Sequence, residues 1–544
     1  MQRRVLVTLS GILLLSGSLM APARAQESAA NPEIEKLKAQ LAAQQEQIDQ
    51  LRRAMEDEKK ALDEVSRPKP PSLGQVASTS PVLPAGEAVP ALHPGLSGAL
   101  SPQQDANEPP PSPLQIHIGT ATITPVGFID LTGVFRSRDG GSSLGTNFGS
   151  VPYGNTPLGN LSEFRFTAQN SRIGARIDAM VHGAHVMGYW ESDFLGTQAA
   201  NAGVTSNSNS FRMRLYWVDL QKDKWEILGG QSWSMMTPGR KGISPLPADI
   251  FYSQDMDTNY QVGIPWTRAP QFRFVYHPSS TVSWGLSLET AEQYGGGSGG
   301  GGVIVIPSGL ATNYANQIDT GTQTFNVPNL APDIQTKLAF DPMVNGKLMH
   351  VEFAGFLSTF KTYNAGSTFT KVGGGGEANF NLELVKNFRL IVNTFISDGG
   401  GRYLFGEAPD LIVRPNGSPS PVHADSTVDG FEYTAHNTTF FAYYGGDLIG
   451  KDWSVDTANK NALVGYGYPG SSTGQNRTIQ EATFGFNTTF WKNPNYGALG
   501  FIFQYSYLFR NPWSPPATGP RNTTNNMVWV DLRYTLPGQA PTYK

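Results

Sequence analysis

The chain has no cysteine among its 544 residues. That excludes disulfides, thiol nucleophiles and cysteine-bound metals, and it suits a chain that crosses an oxidising compartment unfolded. Charge is scarce as well: Asp, Glu, Lys and Arg make up 15% of the residues, 44 acidic against 40 basic, for a net charge of −4. A balance this near neutral gives no electrostatic footprint for nucleic acid, so no nucleic-acid partner is expected. Beyond the N-terminal segment no stretch reaches the roughly 18 consecutive apolar residues of a spanning helix. Histidine is rare too, with eight in all; His182 and His185 flank a tight turn with no third ligand near in sequence. No metal and no cofactor is expected.

What is present starts with processing and assembly signals. Residues 1–25 read as a signal peptide: Arg3 and Arg4, an apolar run over 5–15, and the small-x-small pattern Ala23-Arg24-Ala25 before Gln26. Residues 32–65 read as an α-helical coiled coil. Ile34, Leu41, Ile48, Met55 and Leu62 take the a positions; Leu37, Gln44, Leu51, Glu58 and Val65 take the d positions. A two-position apolar stripe suits a self-associating seam better than a globular face. Residues 66–113 form a linker with recurrent proline, including Pro109-Pro110-Pro111, which favours extended polyproline II.

The rest, residues 114–537, has a rhythm. Strand-like runs of about ten residues alternate with short and long gaps, the signature of a transmembrane β-barrel. The short gaps fall at 181–183, 222–223, 277–279, 342–346, 386–387, 436–437 and 492–495. The long gaps are rich in Gly, Ser, Asn and Pro. A count gives about sixteen antiparallel strands with both termini on the periplasmic side, closed because lipid tolerates no open sheet edge. The fold class expected is therefore an all-β transmembrane barrel preceded by a coiled coil. Residues 538–544 are a tail.

Period 2 assigns faces. In the first strand Gly127, Ile129, Leu131, Gly133 and Phe135 face lipid while Asp130, Thr132 and Arg136 face the lumen. In the second Ile173, Ala175, Ile177 and Ala179 point out, and Arg172, Arg176 and Asp178 point in. The run 211–220 places Met213, Leu215 and Trp217 out against Arg212, Arg214 and Tyr216 in. Phe164 and Phe166 alternate out of phase with Ile173 and Ile177, which a bulge near Gln169-Asn170 reconciles.

Several segments carry a family resemblance. Gly127-Phe128-Ile129-Asp130-Leu131, Ser171-Arg172-Ile173-Gly174, the run 212–220 and Leu228-Gly229-Gly230-Gln231-Ser232-Trp233 resemble trimeric Gram-negative porins. With the N-terminal coil the chain is most similar to the DcaP-like group. The resemblance implies a sixteen-stranded homotrimer in the outer membrane, among outer-membrane lipid and lipopolysaccharide, with an inward-folded third loop at 235–267. It implies also that the coil stands in the periplasm, within reach of periplasmic or cell-wall contacts. The family's C-terminal aromatic is replaced here by a tail ending at Lys544.

A pore selects by width and by the charges that line it. The pore-lining candidates are Arg172, Arg176, Arg212, Arg214 and Arg273 against Asp130, Asp178, Glu191 and Asp193; Arg136, Lys337, Glu289 and Glu352 also point inward. The third loop contributes Arg240, Lys241, Asp249, Asp255 and Asp257 to a constriction. A basic wall facing an acidic loop sets up a transverse field, and wall arginines can equally pair with neighbouring carboxylates. The clustered arginines tilt the reading toward anionic solutes. The expected function is diffusive passage of small hydrophilic solutes; the competing classes are a structural tether and a barrel-type membrane enzyme. Two Gly-x-Ser-x-Gly matches, at 141–145 and 470–474, sit in loops rather than at strand-to-helix turns, so no catalysis is expected. Residues 295–302, rich in glycine, read as flexible linker.

Overall fold

The computed structural model describes residues 112–140, 143–197, 209–250, 253–298, 300–314, 316–321 and 327–537. The signal peptide, the coiled coil, nearly all of the linker and the C-terminal tail lie outside the described residues. Among those described, sixteen antiparallel strands close into one barrel. They are β1 (Ala121–Arg136), β2 in two segments (Glu163–Thr167 and Arg172–Val181), β3 (Ala184–Asp193), β4 (Arg212–Lys222), β5 (Trp225–Trp233), β6 (Arg268–Ser279), β7 (Val282–Glu289) and β8 (Asp333–Phe340). The second half holds β9 (Lys347–Asn364), β10 (Ser367–Val385), β11 (Phe388–Asp398), β12 (His423–Ala435), β13 (Thr438–Ile449), β14 (Asn476–Asn493), β15 (Gly497–Pro512) and β16 (Thr523–Thr535). Each strand pairs with its neighbours in sequence, and β1 pairs with β16 to close the ring. Closure gives every strand two partners, so the backbone needs no water to satisfy it. No described helix is long and apolar enough to cross a membrane.

The seven short gaps are the seven tight connections at one end of the barrel. Their backbone shows why they are tight: His182 (φ 50°), Asp223 (54°), Asn345 (52°), Asn387 (65°) and His436 (55°) all sit in the left-handed region. At His182-Gly183 and Asn345-Gly346 the positive φ values are paired, as in the primed turns whose twist matches that of the flanking strands. The rhythm fails once, at the other end. Between β9 and β10 there is no long loop but a two-residue turn, Ala365 (φ 48°) and Gly366 (φ 83°). The two strands it joins are long, 18 and 19 residues, so the hairpin itself supplies the missing length.

The faces follow the alternation. Ile129, Leu131 and Phe135 are exposed on the outside while Asp130, Thr132 and Arg136 are buried inside. The bulge in β2 is present: Thr132 pairs with Thr167 and Phe128 with Arg172, so three residues of β1 oppose four of β2. That extra residue brings Phe164, Phe166, Ile173 and Ile177 onto one exposed face. A second bulge overturns the assignment in β4. The register slips where Glu191 opposes Leu215 and Ser192 opposes Met213. Arg214 and Leu215 therefore both turn inward; Leu215 and Trp217 are buried, and Val218 and Leu220 are the exposed pair. Simple period 2 cannot register an extra residue that its own strand does not announce.

Outward aromatics gather toward the turn end, where an interfacial girdle belongs. Trp225 stacks on Tyr276 with ring centroids 4.2 Å apart, and the Tyr534 hydroxyl donates to the carbonyl of Tyr496 at 2.7 Å. The inner face is less polar than alternation suggests. Trp217, Leu228, Ile391, Val428 and Phe441 are inward and buried. They are covered by loop 234–267, which brings Ile250, Tyr260 and Ile264 to them across the barrel.

The loop end has an apolar core of its own. Loops 290–332, 399–422 and 450–475 bury Ile304, Tyr314, Tyr403, Leu411, Ile412 and Tyr466 in one apolar cluster with the wall residues Phe356, Phe360 and Phe395. The glycine-rich stretch 295–302 is not a spacer within it. A β-carbon on Gly300 would come within 2.6 Å of the Ser150 nitrogen, on Gly301 within 2.7 Å of the Glu407 carbonyl oxygen, and on Gly302 against the Gly474 carbonyl. The stretch is where four loops cross at backbone distance, and glycine is what lets them.

Candidate functional site

The described residues of loop 234–267 reach the wall from β8 round to β15. Its first part is clamped near β8–β12. The Lys337 ammonium donates to the Thr237 carbonyl at 2.8 Å, and Glu352 accepts the Gly239 N–H at 2.8 Å. Asn379 donates to the Gly239 carbonyl at 3.0 Å, and Asp341 accepts the Gly242 N–H at 2.9 Å. Arg240 lies on Glu432 with two bonds of 2.9 and 3.0 Å. Behind these contacts, His350 bridges Asp341 (2.9 Å) and Glu352 (3.1 Å) and is fully buried. Burial this complete makes the clamp stiff, because each charge left without its partner would be costly.

The later part of the loop is held by β13, β14 and β15. Gln254 N–H donates to the Tyr443 hydroxyl at 3.0 Å, and the Met256 N–H to the Gln504 side chain. Glu481 accepts the Val262 N–H at 3.1 Å. Asp257 turns toward loop 137–162 and accepts the Thr146 N–H with both oxygens, at 3.0 and 3.1 Å.

The candidate residues distribute as follows. On the wall, Arg214 donates to Glu191 (2.7 Å) and Asp193 (2.9 Å), and Arg212 shares Asp193 at 2.9 Å. Arg172 is weakly held, 3.9 Å from Glu191 and 3.3 Å from the Asn170 amide oxygen. Arg176 sits nearer the turn end, paired with Asp178 at 2.9 Å, while His185 takes Asp178 from the other side at 3.0 Å. Asp130 accepts from Arg533 and Asn170, both at 3.0 Å. Arg273 is buried and donates to the Trp233 carbonyl at 2.6 Å and to Gln271 at 3.0 Å. In the loop, Asp249 lies in the short helix Pro247–Ile250 and Lys241 is partly exposed beside Arg240.

Two cavities form between loop and wall. The larger is lined by Arg172, Glu191, Asp255, Asp257 and Tyr260 together with Phe128, Asn170 and Arg533. The smaller is lined by Asp249 and Arg273 with Lys337, Glu352 and Gly239. The structure thus brings Arg172, Glu191, Asp255 and Asp257 together and leaves Arg176 with Asp178 apart. Glu432, Glu481 and Asn170 are the partners that sequence reasoning passed over. Period 2 marks Glu432 and Glu481 as inward-facing, but nothing local says which loop residue each will meet. Among the described residues no group of three or more His, Asp or Glu is placed to hold a metal ion.

Fold and site define a class: a closed sixteen-stranded antiparallel β-barrel with one long loop folded into its lumen. No family model and no curated protein matches the chain. Among solved structures, the outer membrane channel DcaP of Acinetobacter baumannii is similar at a TM-score of 0.56 and 17% identity, over 77% of this chain and 98% of that one. The anion-selective porin from Comamonas acidovorans follows at a TM-score of 0.44 and 11% identity, over 76% of this chain and 99% of that one. The first likeness is one of fold; the second is too distant to argue from.

Proposed function

We propose that the protein is an outer-membrane porin that lets small hydrophilic solutes diffuse through a water-filled barrel narrowed by loop 234–267. One observation carries this reading: a closed sixteen-strand barrel with an apolar outside is crossed within by a loop clamped to the wall by charged groups. The turn end belongs in the periplasm and the loop end outside, which puts the N-terminal coil in the periplasm. The assembly is a homotrimer among outer-membrane lipid and lipopolysaccharide. Arg172, Arg176, Arg212 and Arg214 outnumber Asp178, Glu191 and Asp193 by one, which supports a mild anion preference. A tether needs no such clamped loop. An enzyme needs an activated nucleophile, whereas the Ser472 hydroxyl of the second Gly-x-Ser-x-Gly match is exposed and accepts the Gly474 N–H in a local turn.

The test is conductance of the purified protein in planar bilayers, with reversal potentials in a salt gradient. Stable steps with a reversal potential on the anion side are expected. A folded sample without conductance sinks the porin reading; a channel that prefers cations sinks the anion preference alone.

A further inference from the structure

We propose that Phe405 is a size-selecting side chain: with Phe148 and Trp266 it forms an aromatic restriction across the loop end of the barrel. The inference rests on the porin reading, because it concerns solutes that enter from that end. Three loops meet at this ring. Phe405 lies in loop 399–422, between β11 and β12, and stacks on Trp266, just before β6, with centroids 5.4 Å apart and the planes 20° from parallel. Phe148, in the loop between β1 and β2, meets it edge-on at 6.1 Å. The two partners thus belong to connections centred on β3 and β4. The β11–β12 connection is eight strands away in the ring of sixteen, directly opposite. To touch both partners, the tip of loop 399–422 reaches across the mouth. A barrel of sixteen strands is wide enough to leave an aqueous channel, so a side chain held across its mouth decides what enters.

The backbone holds this ring where it is. Phe405 has φ 53°, in the left-handed region, and Tyr260, which meets the same Trp266 at 5.1 Å, has φ 68°. A bulky side chain takes that conformation only where its surroundings impose it, and such residues gather at functional sites. Here the surroundings are specific. The Trp266 N–H donates to the Tyr403 carbonyl at 2.7 Å, and Leu404 forms a parallel bridge with Trp266. The Tyr294 hydroxyl donates to the Gly406 carbonyl at 2.6 Å. Arg402 is ion-paired with Asp333 of β8, and its backbone N–H donates to Asp410 at 2.8 Å. The turn 402–407 is therefore fixed on both sides of Phe405. Phe148 and Trp266 are buried, whereas Phe405 keeps part of its surface open. That open surface is what an entering solute meets. Three aromatic rings carry no net charge, so they select by width.

The experiment uses the full-length purified protein in planar bilayers, with polyethylene glycols of graded size as neutral probes added to one side at a time. The loop end is identified by the side from which protease cuts. In the wild type, the largest polymer that lowers conductance from the loop end should be smaller than the largest that does so from the turn end. Phe405→Gly removes the ring and suits the positive φ; conductance should rise about 1.5-fold and the loop-end limit should move up. Phe405→Tyr keeps the ring and should leave that limit in place; a limit that moves as far as in Phe405→Gly overturns the proposal. A ring that only packs gives another pattern: Phe405→Gly then lowers the heat stability read by gel shift and leaves both polymer limits where they were, which also overturns it. If Phe405→Gly does not fold, the wild type decides alone, since equal limits from the two ends, or a wider one at the loop end, overturn the proposal. A folded wild type with no current overturns the porin reading, and this proposal with it.

Discussion

Arg212 and Arg214 share Asp193 as a partner, yet their surroundings set very different consequences for losing them. The Arg214 side chain is 1% exposed and joins two buried carboxylates, whereas that of Arg212 is 38% exposed. Replacing Arg214 with Gln removes the nearest cation from buried Glu191 and one of the two from Asp193, which costs about 3–5 kcal/mol. The same change at Arg212 costs below about 1 kcal/mol, because water screens it. A heating series read by the folded-to-unfolded gel shift should place Arg214→Gln well below Arg212→Gln; equal midpoints would mean that the two carboxylates are hydrated in the native barrel. Glu407, in loop 399–422, makes a second residue-level case. Burial, with the Asp447 carboxyl hydrogen-bonded beside it, pushes its carboxyl well above the usual range. Burial lifts the nearby Asp410 to about 8 against the pull of Arg402. Groups with raised carboxyl values bind more protons folded than unfolded, so their stabilisation is full below the ordinary carboxylate range and is lost as pH rises toward 8. Protease cutting within loop 399–422 should therefore quicken from about pH 5 to about pH 8, and Glu407→Gln should flatten that trend. A wild-type rate that is constant with pH would remove Glu407 from the account.

At the scale of elements, the loops decide the passage. Loop 234–267 has clamps at both ends, and removing 239–253 takes away most of the first clamp with the middle of the loop while leaving the strands paired. Single-channel conductance should rise; an unchanged value in a folded barrel would place this loop outside the conducting path. The crossing of loops at 295–302 is the other control point. Gly302→Val puts a branched side chain against the Gly474 carbonyl. Overpacking of that kind costs about 1–3 kcal/mol, and it should loosen the cap, seen as noisier current and faster proteolysis within 290–332. Both loops show where sequence reading stops. Residues 295–302 look like spacer because glycine is read for its freedom, but here it is used for its smallness. The β4 bulge is invisible for a related reason: Leu215 and Trp217 fit an outer face as well as an inner one, and only the pairing with β3 separates the two. The β2 bulge was legible because aromatics on both sides of it reveal the phase change.

For the whole molecule, the proposed assembly can be tested apart from the proposed conduction. A chain beginning at Leu114 keeps every barrel strand and should remain a trimer by sedimentation, while Leu41→Asp, Ile48→Asp and Leu51→Asp together should abolish association of the isolated segment 32–65. A monomeric chain from Leu114 would show that the coil drives assembly. By itself the sequence determined the barrel, its strand count, its seven tight turns and the outward stripe of most strands. Those depend on period 2 and on short-range turn chemistry, which are written within a few residues of each position. Only the tertiary structure decided how the lumen is filled. The clamps of Gly239 on Glu352 and of Arg240 on Glu432 join residues more than 100 and nearly 200 positions apart. No local pattern encodes such pairings, because they depend on which wall a loop meets when the barrel closes.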